Sequence, residues 1–202
     1  SLHTLVVGCG NSELSERLCT QASFTSIVNS DLSPVVIEFM QEKHKDNKAM
    51  TWVVDDAMQM SFNDCSFDQI IDKSLLDCMC HCEEEEFVGC ANKYVSECFR
   101  VLRAGRIAIF VTNQSPSQLE GYLECSGEMK HQWCALDWEV SHHVAYAPLW
   151  KGVLKKQTTM VLDEALLPRD SDSCKTFHIY IAKKRQVRRS MGRHTNSYND
   201  AE

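Results

Sequence analysis

The sequence predicts an α/β protein whose core is a doubly wound, mostly parallel seven-stranded sheet with helices on both faces. In the first half of the chain, short apolar runs alternate with stretches of helical periodicity, which is the pattern of βαβ units. Glycine or acidic residues follow directly after four of these runs. This is typical of parallel sheets that bind a ligand at the carboxyl ends of their strands.

The predicted strands are rich in β-branched and aromatic residues and end at turn-forming or acidic residues. The unbroken apolar run Ile107–Val111 indicates a strand buried on both faces, near the centre of the sheet. In the last strand, Phe177, Ile179 and Ile181 alternate with histidine and tyrosine. The predicted strands comprise residues 5–7, 26–30, 51–54, 67–72, 107–111 and 177–182, with one or two more between 133 and 145.

Helices are predicted between these strands. Ser12 is placed to cap the first helix, and Ser33-Pro34 is typical of an N-cap followed by the first helical residue of the second. Apolar residues at spacings of three and four predict one long amphipathic helix from Glu83 to Leu102, which Gly105 would end. A further helix is predicted over residues 117–128.

The 202 residues, 44% hydrophobic and 24% charged, fit one globular domain and exclude a mainly disordered chain. We expect this domain to cover residues 1–184, with residues 148–175 as an insertion between the last strands and 185–202 as a basic, disordered tail. No apolar run reaches the roughly 18 residues that a membrane-spanning helix needs. No targeting signal is evident, and the expected location is cytoplasmic, with a nuclear address in the basic tail as the alternative.

Charge is distributed unevenly along the chain. The net charge is −7, but residues 183–202 carry +4 and the remaining residues −11. An acidic body disfavours nucleic-acid phosphates and favours a basic partner such as a lysine-rich protein segment. A block of glutamates, Glu83 to Glu86, is either part of such a docking surface or the solvated start of a helix.

The eleven cysteines indicate a reducing compartment and no disulfide framework, because their number is odd and the chain exceeds 100 residues. Cys78, Cys80, His81 and Cys82 form a tempting metal cluster. On a helix, residues two positions apart point in different directions, so the thiols cannot easily converge on one ion. The sequence therefore predicts buried or half-buried thiols and no metal site.

Four polar signals mark the expected ligand crevice: Gly8-Cys9-Gly10-Asn11-Ser12, Asp31, Asp56 and Asp72-Lys73 follow the first four strands in turn. The two glycines allow close approach of the backbone to a ligand. Each signal also has an alternative interpretation. In that interpretation the glycines form only a tight turn, and Asp31 only caps the second helix. Asp55 then holds the role given to Asp56, and Asp72 with Lys73 is a plain ion pair.

The spacing between Gly10 and Asp31 is 21 residues, which suits a carboxylate that meets ribose hydroxyls. A dinucleotide-binding fingerprint would have glycine at position 13, but this chain has Glu13. A carboxylate is badly placed beside a pyrophosphate. The pattern therefore favours a nucleoside cofactor without phosphates, S-adenosylmethionine, over NAD, with Asp56 and Ala57 at its adenine.

Several of these stretches carry a family resemblance: 6–15 around Gly-Cys-Gly-Asn-Ser, 27–37 around Asp31, and Asp72-Lys73-Ser74-Leu75-Leu76-Asp77. They resemble class I (seven-strand) S-adenosylmethionine-dependent methyltransferases, and more narrowly the branch that contains the lysine methyltransferases of elongation factor 1-alpha. The resemblance covers residues 4 to about 112 and extends to Phe177-His178-Ile179-Tyr180. The chain departs from the family at Ser74-Leu75, where Gly-Thr is usual, at Arg103-Ala104-Gly105, where Pro-Gly-Gly is usual, and in lacking the family's upstream Tyr-Trp-Asp-x-Arg-Tyr type segment.

The resemblance implies a Rossmann-like methyltransferase fold and methyl transfer from S-adenosylmethionine, with S-adenosylhomocysteine as product. It implies Asp72 and Lys73 as catalytic candidates near the transferred methyl, with Asp77 as a weaker candidate for orienting the substrate. The cofactor-binding candidates are Gly8, Cys9, Gly10, Asn11, Asp31, Leu32, Asp56, Ala57, Met58 and Asp72.

The expected substrate is a protein lysine, and the partner is a protein with a basic target site. Two alternatives remain open: a small-molecule methyltransferase, or a non-catalytic methyltransferase-like module that binds the cofactor and a partner protein.

Overall fold

The computed structural model describes residues 2–79, 84–114, 136–148 and 174–185. In these residues the chain forms seven strands and four helices. The strands are β1 (Thr4–Val7), β2 (Ile27–Asp31), β3 (Met50–Val54), β4 (Phe67–Lys73), β5 (Leu102–Thr112), β6 (Trp138–Pro148) and β7 (Cys174–Lys184). The helices are α1 (Leu14–Ala22), α2 (Pro34–Lys43), α3 (Leu75–Met79) and α4 (Glu84–Val101).

The strands form a single sheet in the order β3-β2-β1-β4-β5-β7-β6. The pairings from β3 through β5 are parallel, whereas β7 runs antiparallel to both β5 and β6. The predicted fold class is therefore confirmed. The helix predicted over 117–128 and nearly all of the predicted insertion and tail lie outside the described residues, while Pro148 and Cys174 belong to β6 and β7.

Helices cover both faces of the sheet. On one face, α4 packs Tyr94, Val95 and Cys98 against strand residues such as Ile70 and Phe110. On the other face, α1 and α2 pack against a second cluster, which comprises Val6, Ile27, Met50, Ile71 and Ile37 with Leu14 and Leu18 beside them. Packing from both sides agrees with the burial of all four residues of β1.

The helix starts differ in how well the sequence predicts them. Ser33 is the N-cap of α2, its hydroxyl accepts from the Val36 amide, and Pro34 is the first helical residue, as predicted. The cap predicted at Ser12 is wrong, because Glu13 is the N-cap of α1 and makes no side-chain cap bond. Ser12 still accepts a hydrogen bond from the Leu14 amide at 3.3 Å. None of the helices in the described part of the chain is long and apolar enough to cross a membrane.

Gly105 does not end the long helix, contrary to the prediction. α4 ends at Val101, and β5 begins at the next residue. Gly105 lies within β5 at φ +78°, where the pairing of β4 with β5 shifts between Leu102 and Ile107. The extra residues form a bulge, and a positive φ at such a bulge favours glycine.

The arginines that flank this glycine give the bulge a second support. Arg103 and Arg106 both form ion pairs with Asp68 on β4, at 2.8 and 3.3 Å. The Asp68 carboxylate also accepts from the His3 amide, and these partners lower its pKa. The bulge is thus tied to β4 by charge as well as by backbone pairing.

We expect Gly105→Ala to lower the free energy of unfolding by about 1–2 kcal/mol, because alanine in the left-handed region is strained. Gly89→Ala is the matched control. Gly89 is an exposed residue of α4 with open space where a Cβ would lie, so alanine there should stabilise by about 0.5–1 kcal/mol. Urea unfolding of both variants measures this; equal effects at the two positions would contradict the bulge interpretation.

Candidate functional site

The register of the parallel strands brings the predicted site residues to one edge of the sheet. Val7, the last residue of β1, pairs with Ser30 on β2 and with Asp72 on β4. On the next pair, Asp31 lies opposite Val54. The turn after β1 and the ends of β2, β3 and β4 therefore meet at this edge, as the sequence predicts.

The turn after β1 is built by two glycines with positive φ, +58° at Gly8 and +52° at Gly10. The Gly10 amide donates to the Asp31 carboxylate at 2.8 Å, and the Cys9 amide donates to the Ser30 carbonyl at 3.0 Å. A Cβ added to Gly10 would meet no atom within 4 Å. The turn is thus fixed to β2 while one side of its backbone stays open to a ligand.

Asp31 holds two backbone segments at once. One carboxylate oxygen accepts from the Gly10 amide, and the other accepts from the Ser33 amide at 3.0 Å, at the start of α2. An ionised carboxylate has about four acceptor positions, so two remain for hydroxyl groups of a ribose. The following residue, Leu32, is 68% exposed at the same edge. This arrangement fits a nucleoside beside Asp31.

The loop between β3 and β4 carries the predicted adenine contacts. Asp56 accepts from the Met58 amide at 2.8 Å, and Asp55 accepts from the Ser61 amide at 3.1 Å. Both carboxylates therefore shape the loop, and the prediction of Asp56 rather than Asp55 as the adenine partner stays a prediction. Ala57 and Met58 are half-buried beside the apolar core.

Arg100 on α4 clamps this loop through all five of its N–H donors. Its guanidinium donates to both carboxylate oxygens of Glu97 at 2.7 Å, to the carbonyls of Phe62 and Met60, and to Asp64. Glu97 in turn accepts from the Met60 amide at 2.7 Å. The loop thereby gains a fixed position relative to the sheet. Sequence analysis missed this clamp.

Asp72, a predicted catalytic and cofactor residue, is only 1% exposed at the end of β4. Its carboxylate accepts from the Leu75 amide at 2.8 Å and from the Tyr94 hydroxyl at 3.0 Å. Burial, with a smaller contribution from the Asp77 carboxylate, raises its pKa to about 7, although these hydrogen bonds act to lower it. The structure therefore places a titratable group beneath the surface of the site.

Lys73 is exposed at the same edge and has no ion-pair partner within the described residues. Consecutive residues of a strand point to opposite faces. Lys73 and Asp72 therefore do not form the plain ion pair that was the alternative interpretation. Asp77 is bound elsewhere, because its carboxylate accepts from the Thr112 hydroxyl and from the Asn113 amide. The middle of α3 is thereby joined to the end of β5.

Ser74 adopts φ +71°, a conformation that favours glycine. Its amide donates to the Val111 carbonyl at 2.8 Å, so the conformation is part of the link between β4 and β5. This is the position at which the sequence resemblance leads us to expect glycine. Ser74 therefore replaces the expected glycine at a backbone position that has a positive φ.

The thiols of the described residues offer no metal centre. Cys9 lies buried inside the glycine turn, where burial and the Asp31 carboxylate raise its pKa to about 12. No group of three or more histidine, cysteine or acidic side chains in the described part of the chain is placed to hold a metal ion. Cys80, His81 and Cys82 of the cysteine cluster lie outside it.

Comparison with known proteins identifies what this site resembles. The profile of the family described as "Methyltransferase domain" matches residues 5–110. A curated relative, the eEF1A lysine and N-terminal methyltransferase of Bos taurus, is 42% identical over 102 residues, which are 50% of this chain and 14% of the relative. EEF1A lysine methyltransferase 4 of Mus musculus is 33% identical over 118 residues, 55% of this chain and 46% of the relative.

Solved structures agree on the fold. A SAM-dependent methyltransferase from Methanosarcina mazei superposes with a TM-score of 0.58 at 15% identity, covering 92% of this chain and 93% of that one. The YcgJ protein from Bacillus subtilis superposes with a TM-score of 0.56 at 14% identity, with the same coverage. The chain spans at most about half the length of the curated relatives described above.

We expect Arg100→Lys to lower the free energy of unfolding by about 1–2 kcal/mol, because lysine keeps the charge but cannot satisfy two carbonyls and two carboxylates together. Arg17→Lys is the control, because Arg17 pairs with Glu13 at 3.6 Å on the exposed surface of α1. Chemical denaturation of both variants provides the measurement. A loss at position 17 as large as at position 100 would argue against the clamp.

We also expect the stability of the chain to depend on pH through Asp72. The pKa of the Asp72 carboxyl is about 3.9 in the unfolded chain and about 7 in the folded protein. The folded state therefore keeps the proton to a higher pH than the unfolded state does. The contribution of Asp72 is complete below about pH 4 and is lost as pH rises through 7. Asp72→Asn cannot ionise and should gain stability relative to the wild type between pH 5 and 8.

Urea unfolding of both proteins at several pH values measures this difference. Asp68 and Glu97, whose pKa values are lowered, are present in both proteins, so their opposite pH dependence cancels. Parallel stability profiles for the two proteins would contradict the expected titration of Asp72.

Proposed function

Because the chain belongs to the methyltransferase domain family, whose profile matches residues 5–110, we propose that it methylates a lysine side chain of a protein. The reaction class and the methyl donor, S-adenosylmethionine, follow from that membership, and both sequence-based predictions are confirmed. The observation that carries the choice of substrate is the 33–42% identity to methyltransferases of elongation factor 1-alpha.

The glycine turn and Asp31 are the proposed cofactor-binding elements. The open side of Gly10 accommodates a ligand against the backbone, and the free acceptor positions of Asp31 suit ribose hydroxyls. The loop with Asp56, Ala57 and Met58 lies at the end of the neighbouring strand and is proposed to meet the adenine. Cys9, Asn11 and Leu32 complete the proposed set at the same edge.

When bound, S-adenosylmethionine supplies a methyl group on a positively charged sulfur, ready for in-line attack. The protein's task is mainly to hold the nucleophile close and aligned. A lysine ammonium with a pKa of about 10.4 must lose its proton first. Lys73, exposed at the mouth of the site, is proposed to favour the neutral amine by like-charge repulsion. Asp72, the second residue that the sequence predicts to be catalytic, lies buried behind it.

The acidic body supports a basic protein substrate. Asp31, Asp55 and Asp56 all lie at the carboxyl ends of β2 and β3, at the edge where the substrate would approach. Negative potential at this edge attracts a lysine-containing segment and raises its association rate at low salt. An enclosed apolar pocket is the feature that a small-molecule substrate would require instead.

We expect Asp31→Ala to weaken S-adenosylmethionine binding about tenfold or more, because hydrogen bonds to a charged acceptor are lost together with the anchor of the Gly10 amide. Calorimetric titration measures the affinity, with NAD as the ligand control. Asp46→Ala, on an exposed turn after α2, removes the same charge without touching the site. Equal affinities for both variants would argue against the proposed ribose contact.

Transfer of labelled methyl groups tests the substrate. Elongation factor 1-alpha and a lysine-rich peptide should become labelled, and the same peptide with arginine in place of lysine should not. Labelling of small amines alone would favour the small-molecule alternative. Saturable cofactor binding without transfer to any protein would favour the non-catalytic alternative.

A further inference from the structure

The short helix α3 is held at its start and at its middle residue by buried or half-buried carboxylates. At its start, Asp72 accepts from the Leu75 amide at 2.8 Å. Asp77, the third of its five residues, accepts from the Thr112 hydroxyl and from the Asn113 amide at 3.2 Å. A helix of five residues has little stability of its own, so these tertiary bonds determine where it lies.

Tyr94, in the middle of α4, fixes the first of these carboxylates. Its hydroxyl donates to Asp72 at 3.0 Å, and the whole side chain is buried. The ring packs edge-on against Phe110, at 6.2 Å between ring centroids. The hydroxyl group therefore has a fixed position without access to water. It donates a hydrogen bond to the Asp72 carboxylate, which is buried as well.

The helix α3 also touches the glycine turn. A Cβ built on Gly8 would lie 2.8 to 3.1 Å from three carbon atoms of the Leu75 side chain. The turn and the first residue of α3 are therefore in close contact. Any displacement of Leu75 changes the space available to Gly8, whose φ of +58° sets the course of the turn.

We propose that Tyr94 is a positioning residue for the cofactor site, acting through Asp72 and Leu75 on the Gly8–Gly10 turn. The proposal rests on the role of this turn in cofactor binding. It also assigns Asp72 a specific part: its buried carboxylate acts by holding α3 and does not touch the substrate. No direct contact between Tyr94 and the cofactor is required.

The test compares Tyr94→Phe, which removes only the hydroxyl, with Val95→Ala, which opens a cavity on the same helix next to it. Val95 is buried in the same core but makes no bond to Asp72. Three quantities are measured on each protein: the melting temperature, the dissociation constant for S-adenosylmethionine, and hydrogen exchange of the α3 amides.

We expect Tyr94→Phe to weaken cofactor binding about three- to tenfold and to speed exchange at Leu75 and Leu76. Val95→Ala should lower the melting temperature at least as much and leave the affinity and α3 exchange unchanged. In the double variant with Asp72→Asn, the phenylalanine should add little, because both changes act on one bond.

Equal losses of affinity in Tyr94→Phe and Val95→Ala would overturn the proposal, since general destabilisation would then explain both. Unchanged affinity and unchanged exchange in Tyr94→Phe would also overturn it. If Asp72→Asn abolished turnover without weakening cofactor binding, Asp72 would act on the reaction itself. A wild-type protein without cofactor affinity would contradict the proposed site, and the exchange data would still decide whether Tyr94 holds α3.

Discussion

The position of the whole site depends on the parallel pairing of β1 with its two neighbours. Val7 ends this strand directly between Ser30 and Asp72, so a turn after β1 must emerge beside the ends of β2 and β4. If the register changed by one residue, the Val7 side chain would move from the cluster on one face of the sheet to the cluster on the other face. The polar groups at this edge would change faces as well. Packing on both faces thus fixes the geometry of the polar groups.

At this edge of the sheet, backbone amides that donate to acidic side chains stabilise the site. Asp31 holds the glycine turn, Asp55 and Asp56 hold the loop after β3, and Asp72 holds α3. Each carboxylate orders a segment that has no extended secondary structure. An acidic protein can therefore use negative side chains as structural elements at the same edge where we propose that they attract a basic substrate.

The sequence was sufficient to predict the features that depend on local pattern. Apolar runs located the strands, and the glycines and Asp31 marked the edge, because these signals lie within a few residues of each other. The supports that it missed join distant residues: Tyr94 lies 22 positions from Asp72, and Thr112 lies 35 from Asp77. Asn29, which joins β2 to Ser15 on α1 and to the Thr51 carbonyl, is another.

Such long-range pairs give no periodic signal in one chain. In the sequence, a tyrosine on the apolar face of an amphipathic helix cannot be distinguished from other core residues. Only the structure shows that the Tyr94 hydroxyl donates to a buried carboxylate. The strand bulge at Gly105 was misread for a related reason, since a glycine after a helical pattern has the same sequence signature whether it ends the helix or bends the strand that follows.

The buried thiol of Cys9 has a consequence for selectivity of methylation. A thiolate is a strong nucleophile, and one beside a sulfonium would compete with the substrate for the methyl group. With its pKa raised to about 12, in part by Asp31, Cys9 stays a neutral thiol at physiological pH. Burial first, and the Asp31 carboxylate second, thus disfavour a nucleophilic thiolate inside the turn that is proposed to bind the cofactor.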